Sequence, residues 1–286
     1  MKILKQLLKD QSLDKFLDRH FTRLPFSSPA SAKEFTDLNW SDVEEVINQG
    51  KSILRIVKDG QMIKDYAELS YVQALEYYKS GHTLLLKNAE LSHPKFKRLS
   101  EDFSKSFHTP VDVQLYCTPG THNAFGWHYD VEEVFIIQVK GSKQYTIRQN
   151  TIHPNPLVVS IQKDQHFELE KSEMMITVLL KEGDWLYIPS GWWHIARTQE
   201  ESMHISVGLM PRSAVDLASF LTTYLAQDAF WRVRMPVHKT FANAEEEFAF
   251  YEVALKTLGK DIQEKISSTD FLKKFLSSLK QPINDD

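Results

Sequence analysis

The tetrapeptide Trp127-His128-Tyr129-Asp130 carries two metal-competent side chains at alternate positions. The run that follows, Val134-Phe135-Ile136-Ile137-Gln138-Val139, is short and rich in β-branched and aromatic residues, which predicts a buried strand over Val131–Val139. Side chains alternate faces along a strand. A strand that includes residues 128–130 therefore aims His128 and Asp130 one way and Tyr129 the other. An imidazole and a carboxylate on one face are two of the three ligands of a facial iron site, which keeps positions open for substrate and oxygen. A His-x-Asp pair at a strand end is also an ordinary surface feature, so the chemistry depends on a third ligand.

That ligand must come from the other histidines. His122 lies in the loop before the tetrapeptide and is one candidate. His153 sits in a Pro-Asn-Pro turn and reads as exposed. His194 is better placed. In Gly183-Asp184-Trp185-Leu186-Tyr187-Ile188-Pro189-Ser190-Gly191-Trp192-Trp193-His194, a turn, a strand and a second tight turn deliver it to the start of another strand. A hydrogen-bonded core histidine beside two tryptophans is the competing reading.

The elements that must position these residues follow from pattern. Residues 1–24 hold one or two amphipathic helices, with Ser12 as a cap, and residues 25–36 read as a loop. Ser41-Asp42-Val43-Glu44-Glu45 fits a capping box opening a short helix. Strands are expected at Ile53–Val57 and Thr83–Leu86, and helices at Leu69–Tyr78 and over 93–107. From Val111 to Met210, short apolar runs alternate with turn signals: Val111–Cys117, Val131–Val139, Gln144–Ile147, Leu157–Ile161, His166–Leu169, Met175–Leu180, Trp185–Ile188 and His204–Met210. This spacing suits a double-stranded jelly roll. After Pro211, Ala214–Trp231, Ala244–Leu258 and Asp270–Leu279 are helical in pattern. Apolar stripes at Leu217, Leu221, Tyr224 and Leu225, and at Phe248, Tyr251, Leu255 and Leu258, suit packing on the barrel or pairing with a second copy. The fold class is thus mainly β with flanking helices: 1–210 a jelly-roll domain with its core at 111–210, and 211–286 a helical region.

Composition narrows the function classes. A chain of 286 residues with 42% hydrophobic and 25% charged residues is ordinary for a globular protein. A net charge of −4 carries no nucleic-acid signature. One cysteine, Cys117, excludes an intrachain disulfide or a multi-cysteine zinc site and suits a cytoplasmic setting. Charges at Lys2, Lys5, Lys9 and Asp10 interrupt the N-terminal apolar residues, so neither a signal peptide nor a membrane span is expected.

The segments HYDVEEVFIIQVKGSKQYTI, GDWLYIPSGWWHIA and SMHISVGL resemble the JmjC (cupin-type) oxygenases, and within them the ribosomal-protein hydroxylases. The resemblance covers residues 111–210 and, more loosely, SLDKFLDRHFTRLPF. It implies a double-stranded β-helix that uses Fe(II), 2-oxoglutarate and O2. His128, Asp130 and His194 match the family's metal ligands. Lys143, after the Gly141-Ser142 turn, matches the basic residue that pairs with the far carboxylate of 2-oxoglutarate. Tyr116 and Gln114 match further co-substrate contacts, although relatives carry Asn at the latter position. Ser206 matches a small hydroxyl residue on the strand after the distal His, and His204 shares its face. The implied reaction hydroxylates a side chain of a protein or peptide, such as a ribosomal protein, with release of succinate and CO2. A small-molecule substrate, N-methyl-lysine demethylation, a cupin dioxygenase without 2-oxoglutarate and a non-catalytic cupin-fold binding protein are the alternatives. Lys143 argues against the third and the intact triad against the fourth. The ribosomal-protein hydroxylases continue into a winged-helix-like tail, for which the helices after the barrel leave little room.

Overall fold

A computed structural model describes residues 2–9, 11–65, 69–120, 125–151, 171–234 and 240–278. The chain divides into two compact units, Met1–Pro211 and Arg212–Asp286. Among the described residues, no helix is long and apolar enough to cross a membrane.

The first unit opens with helices α1 (Lys2–Leu8) and α2 (Leu13–Arg19); the Ser12 hydroxyl accepts from the Lys15 amide and caps the second. Strand β1 (Phe26–Ser28) lies within the stretch read as loop. It has little pattern of its own and becomes a strand by pairing with a partner from far along the chain. Helix α3 (Trp40–Asn48) is capped by Asn39 rather than Ser41. Asn39 Oδ1 accepts from the Ser41 amide at 2.9 Å and Asp42 returns a carboxylate to the Asn39 amide at 2.7 Å. The box is real but begins two residues earlier than its Ser-x-x-Glu spelling suggests. Strands β2 (Ile53–Lys58) and β3 (Gln61–Asp65) form a hairpin whose second strand the sequence pattern does not announce. Helix α4 (Tyr71–Lys79), strand β4 (Thr83–Lys87) and helix α5 (Pro94–Phe107) follow.

The barrel strands are β5 (Val111–Thr118), β6 (Glu133–Lys140), β7 (Lys143–Arg148), β8 (Met175–Leu180), β9 (Trp185–Ile188), β10 (Trp193–Arg197) and β11 (Ser202–Leu209). The runs Leu157–Ile161 and His166–Leu169, and the histidines His122 and His153, lie outside the described residues. Strand β6 begins at Glu133, not Val131, so His128 and Asp130 precede it. Among the described residues, one antiparallel sheet has the order β1-β9-β6-β11-β5-β4-β2-β3 and a second the order β10-β7-β8. Together they make the jelly roll, with β4, β2 and β3 extending the larger sheet on one side.

Period-two alternation gives the large sheet two different faces. Val113, Leu115, Cys117, Ile205 and Val207 point into a core shared with the helices. Phe16 of α2 is wholly buried there, its ring edge-on to Tyr187 at 5.1 Å and 5.7 Å from Phe135. Trp185 Nε1 donates to the Leu7 carbonyl at 2.9 Å, tying α1 to the same sheet. The opposite faces of the two sheets meet over Val134, Ile136, Tyr145, Ile147, Leu186 and Ile188.

The second unit holds α6 (Ala214–Leu225), α7 (Ala244–Ile266) and α8 (Thr269–Ser278). The first is shorter than the pattern over Ala214–Trp231 implies. Asp228 accepts from the Phe230 amide at 2.9 Å and starts a separate 3-10 turn at Ala229–Arg232. The second runs past Leu258 through Gly259, where a glycine costs about 1 kcal/mol but does not break the helix. Phe220, Tyr224, Phe271 and Phe275 form an aromatic cluster between α6 and α8.

Candidate metal centre and cavity

His128 and His194 form an isolated antiparallel bridge, with His128 N to His194 O at 3.1 Å and His194 N to His128 O at 2.8 Å. This bridge, not membership of β6, fixes the direction of the two imidazoles. Gly191, in the left-handed region at φ 77°, turns the chain so that its amide donates to the Asp130 carbonyl at 2.8 Å. Ser190 Oγ donates to the Val131 carbonyl at 2.8 Å. The Pro189–Trp192 turn therefore clasps the segment that carries Asp130. Tyr129 points the other way, as alternation requires, and packs edge-on against Trp193 at 5.0 Å.

The hydrogen bonds set the tautomers. His128 Nδ1 faces the Gly126 carbonyl at 2.8 Å and His194 Nδ1 faces the Trp192 carbonyl at 3.1 Å. A carbonyl only accepts, so each Nδ1 carries the proton and each Nε2 keeps its lone pair. One ligand atom from each of His128, Asp130 and His194 lies within 4.8 Å of the others, with His194 Nε2 3.5 Å from Asp130 Oδ2. Burial, and then the neighbouring His128, push His194 down to about 4, so it is the neutral imidazole a metal needs. Among the described residues, no further His, Cys, Asp or Glu joins this group. The donor set is two nitrogens and one carboxylate with open positions, which fits Fe(II).

These three residues line a cavity of about 270 Å³ that also takes in Gln114, Tyr116, Lys143, His204 and Ser206. All eight residues singled out in the sequence are therefore brought to one cavity. Gly141, at φ 63°, makes the turn into β7; a Cβ there would lie 2.1 Å from the Glu201 carbonyl oxygen. Lys143 follows, only 3% exposed, and its ammonium donates to Thr118 Oγ1 at 3.1 Å. At 3.4 Å, His204 Nδ1 is a weak second acceptor. No carboxylate among the described residues pairs with Lys143, and burial pushes its ammonium down to about 7. Burial, and then Lys143, keep His204 well below the ordinary imidazole value. Its ring stacks on Tyr116 at 4.5 Å. Tyr116 Oη donates to Gln114 Oε1 at 3.0 Å, and Gln114 Nε2 donates to Asp112 Oδ2 at 2.6 Å.

Sequence reasoning missed eleven of the nineteen lining residues, Thr118, Tyr145, Arg55 and Lys87 among them. Thr118 lies two positions beyond Tyr116 on β5, and Tyr145 two beyond Lys143 on β7, so period two alone would have found both. The Tyr145 hydroxyl is buried without a hydrogen-bond partner among the described residues. Arg55 and Lys87 come from β2 and β4 and needed the strand order to be placed.

The JmjC-domain family model matches residues 86–217, which include every residue of the triad and Lys143. Residues 86–217 are a JmjC domain. Among curated proteins, the chain is 29% identical over 140 residues to a Drosophila mojavensis protein named bifunctional lysine-specific demethylase and histidyl-hydroxylase NO66. The match covers 48% of this chain and 16% of that one. A Dictyostelium discoideum protein of the same name is 28% identical over 134 residues, 46% of this chain and 26% of its own. The chain thus spans a minor part of these relatives' length. Among solved structures, Escherichia coli YcfD, described as a ribosomal oxygenase, has the same fold with a TM-score of 0.65. That likeness covers 96% of this chain and 71% of YcfD, at 19% identity. A YcfD structure in complex with cobalt and 2-oxoglutarate gives a TM-score of 0.60 at 18% identity.

Proposed function

We propose that this JmjC protein is an Fe(II)- and 2-oxoglutarate-dependent oxygenase that hydroxylates a side chain of a protein or peptide. The observation that carries the reading is Lys143: a buried cation with no anionic partner among the described residues, in the same cavity as a two-histidine, one-carboxylate cluster. A buried unpaired charge is costly unless a ligand completes it. The orphaned Tyr145 hydroxyl is a second atom awaiting a ligand in that cavity.

In this reading, Nε2 of His128 and His194 and the Asp130 carboxylate hold the iron. With 2-oxoglutarate and O2, the bound iron supplies the oxidation that releases succinate and CO2 and places one oxygen atom on a substrate carbon. The chain does the positioning. Lys143 and Thr118 receive the far carboxylate of 2-oxoglutarate, with Tyr145 beside them on the same strand face. Tyr116, Gln114, Ser206 and His204 supply polar contacts along the β5–β11 wall that also carries Thr118. Leu85, Val134, Ile136 and Ala196 exclude water from the space between. The relatives are named as both demethylase and hydroxylase, so collapse of a hydroxylated N-methyl group is the second outcome to test. Ribosomal proteins are the first substrates to screen, given the description of YcfD.

Residues 1–210 form the catalytic region in this proposal, and 211–286 pair with a second copy. Support for pairing comes from α7, whose Phe248 is 71% and Leu255 63% exposed within a single chain. A cytoplasmic setting suits the lone buried thiol of Cys117 and an iron kept ferrous. The test is succinate release from 2-oxoglutarate with Fe(II), together with a one-oxygen mass gain on a substrate from lysate. Failure to bind 2-oxoglutarate in the metal-loaded protein defeats the proposal.

A further inference from the structure

Asp112, Gln114 and Tyr116 stand at alternate positions of β5, so they share one face, each about 7 Å from the next. A hydrogen-bonded chain runs along that face. Tyr116 Oη lies 3.0 Å from Gln114 Oε1, and Gln114 Nε2 lies 2.6 Å from Asp112 Oδ2. The other carboxylate oxygen, Asp112 Oδ1, accepts from the Asn88 backbone amide at 3.1 Å. Gln114 and Tyr116 line the cavity, whereas Asp112 does not.

The far end of the chain dictates where each proton goes. A backbone N–H only donates and an ionised carboxylate only accepts. Asp112 therefore obliges Gln114 to turn its amide nitrogen toward it. That leaves Gln114 Oε1 facing Tyr116, where it needs a donor, and the Tyr116 hydroxyl supplies one. Burial, and then the charges of Asp130 and Glu132, hold the phenol well above its ordinary value, so it keeps its proton. A phenol has one proton to donate, and here it is committed to Gln114. Toward the cavity, Tyr116 offers oxygen lone pairs alone.

We propose that Asp112 is a positioning residue that, through Gln114, sets the Tyr116 hydroxyl as a hydrogen-bond acceptor facing the cavity. The β5 wall then receives an N–H or O–H donor at Tyr116 and gives no bond from that hydroxyl to a carboxylate. Under the oxygenase reading, on which the assignment of ligands rests, the carboxylates of 2-oxoglutarate are left to the metal and to Lys143 with Thr118. The donor that Tyr116 receives belongs to the substrate. A substrate group bearing N–H or O–H suits this wall, and an acidic one does not.

Asp112→Asn keeps the side chain's size and reverses the chain of protons. The Asn88 amide still donates, so the new side chain keeps its oxygen there and turns its nitrogen toward Gln114. Gln114 then flips, its nitrogen donates to Tyr116 Oη, and the phenol proton is freed to the cavity. Adding Gln114→Glu places an acceptor between both neighbours and draws the Tyr116 proton back. The tyrosine doublet in ultraviolet resonance Raman spectra tells a donating phenol from an accepting one. Subtracting the spectrum of the matching Tyr116→Phe protein isolates residue 116 in each background. In the ligand-free full chain, a donor ratio is expected without substitution, a shift toward the acceptor ratio in Asp112→Asn, and a donor ratio again in the double variant. An acceptor ratio in the unsubstituted chain overturns the proposal with no Asp112 variant needed. A ratio unmoved by Asp112→Asn, or not restored in the double variant, overturns it too. Calorimetry of 2-oxoglutarate on the Mn(II)-loaded chain without oxygen reads the ligand side. Tyr116→Phe is expected to shift Kd by less than about twofold, and a loss of about tenfold overturns the acceptor assignment. No uptake by the unsubstituted chain defeats the oxygenase reading and leaves the Raman result standing.

Discussion

Lys143 should make co-substrate affinity fall as pH rises through neutrality, and the size follows from its burial. Its ammonium is held at about 7, against an ordinary value of 10.5. In the free protein it is half protonated at pH 7, about a tenth protonated at pH 8 and about a hundredth at pH 9. 2-Oxoglutarate is a dianion throughout, and its far carboxylate pairs with the protonated amine. Binding therefore draws a proton from solvent above pH 7. Its Kd should rise about fivefold from pH 7 to 8 and about fiftyfold from pH 7 to 9. Stability has the opposite sign. A lysine whose folded value lies below its unfolded one binds its proton more weakly when folded, so stability of the ligand-free protein is lowest below pH 7 and climbs between 7 and 10.5. The full displacement is worth up to about 5 kcal/mol. Lys143→Met keeps most of the packed stem and discards the charge. It should stabilise the ligand-free protein at pH 6, stabilise it less at pH 9, and abolish 2-oxoglutarate binding with metal affinity retained. Urea denaturation at both pH values and calorimetry between pH 7 and 9 decide the matter. A flat Kd across that range, or a Lys143→Met protein less stable at pH 6, refutes the reasoning.

Tyr145→Phe removes a hydroxyl that is orphaned until a ligand arrives. It should weaken 2-oxoglutarate binding about fivefold by calorimetry, while the ligand-free protein becomes no less stable. Phe16→Ala, in the core behind β9 and β6, should cost about 3–5 kcal/mol in urea denaturation and leave the metal affinity of the folded fraction unchanged. Phe248→Glu combined with Leu255→Glu should convert a dimer to a monomer in analytical ultracentrifugation; a mass unaffected by the pair removes α7 from the interface.

What was legible in the sequence was whatever a local period or a short motif encodes. The strands β5, β6 and β9 are marked by short apolar runs with bounding turns, and the side chains of Gln114, Tyr116, His204 and Ser206 fall on one face as period two requires. His128 and Asp130 share a face as alternation predicts, yet their aim comes from a two-bond bridge between His128 and His194 and from the Gly191 turn rather than from a strand ladder. Alternation survived because both devices hold an extended backbone, whether or not a ladder continues. Non-local pairing was not legible. Strand β1 has three residues and no pattern, and exists because β9 lies beside it. Arg55 and Lys87 read as ordinary surface charges on β2 and β4 until the order β5-β4-β2 lays them along the cavity. The division has a physical cause. Chemistry that depends on spacing along one chain segment, such as His-x-Asp, leaves a mark in sequence. A cavity residue supplied by a neighbouring strand leaves none, since any Lys or Arg at a strand end looks the same.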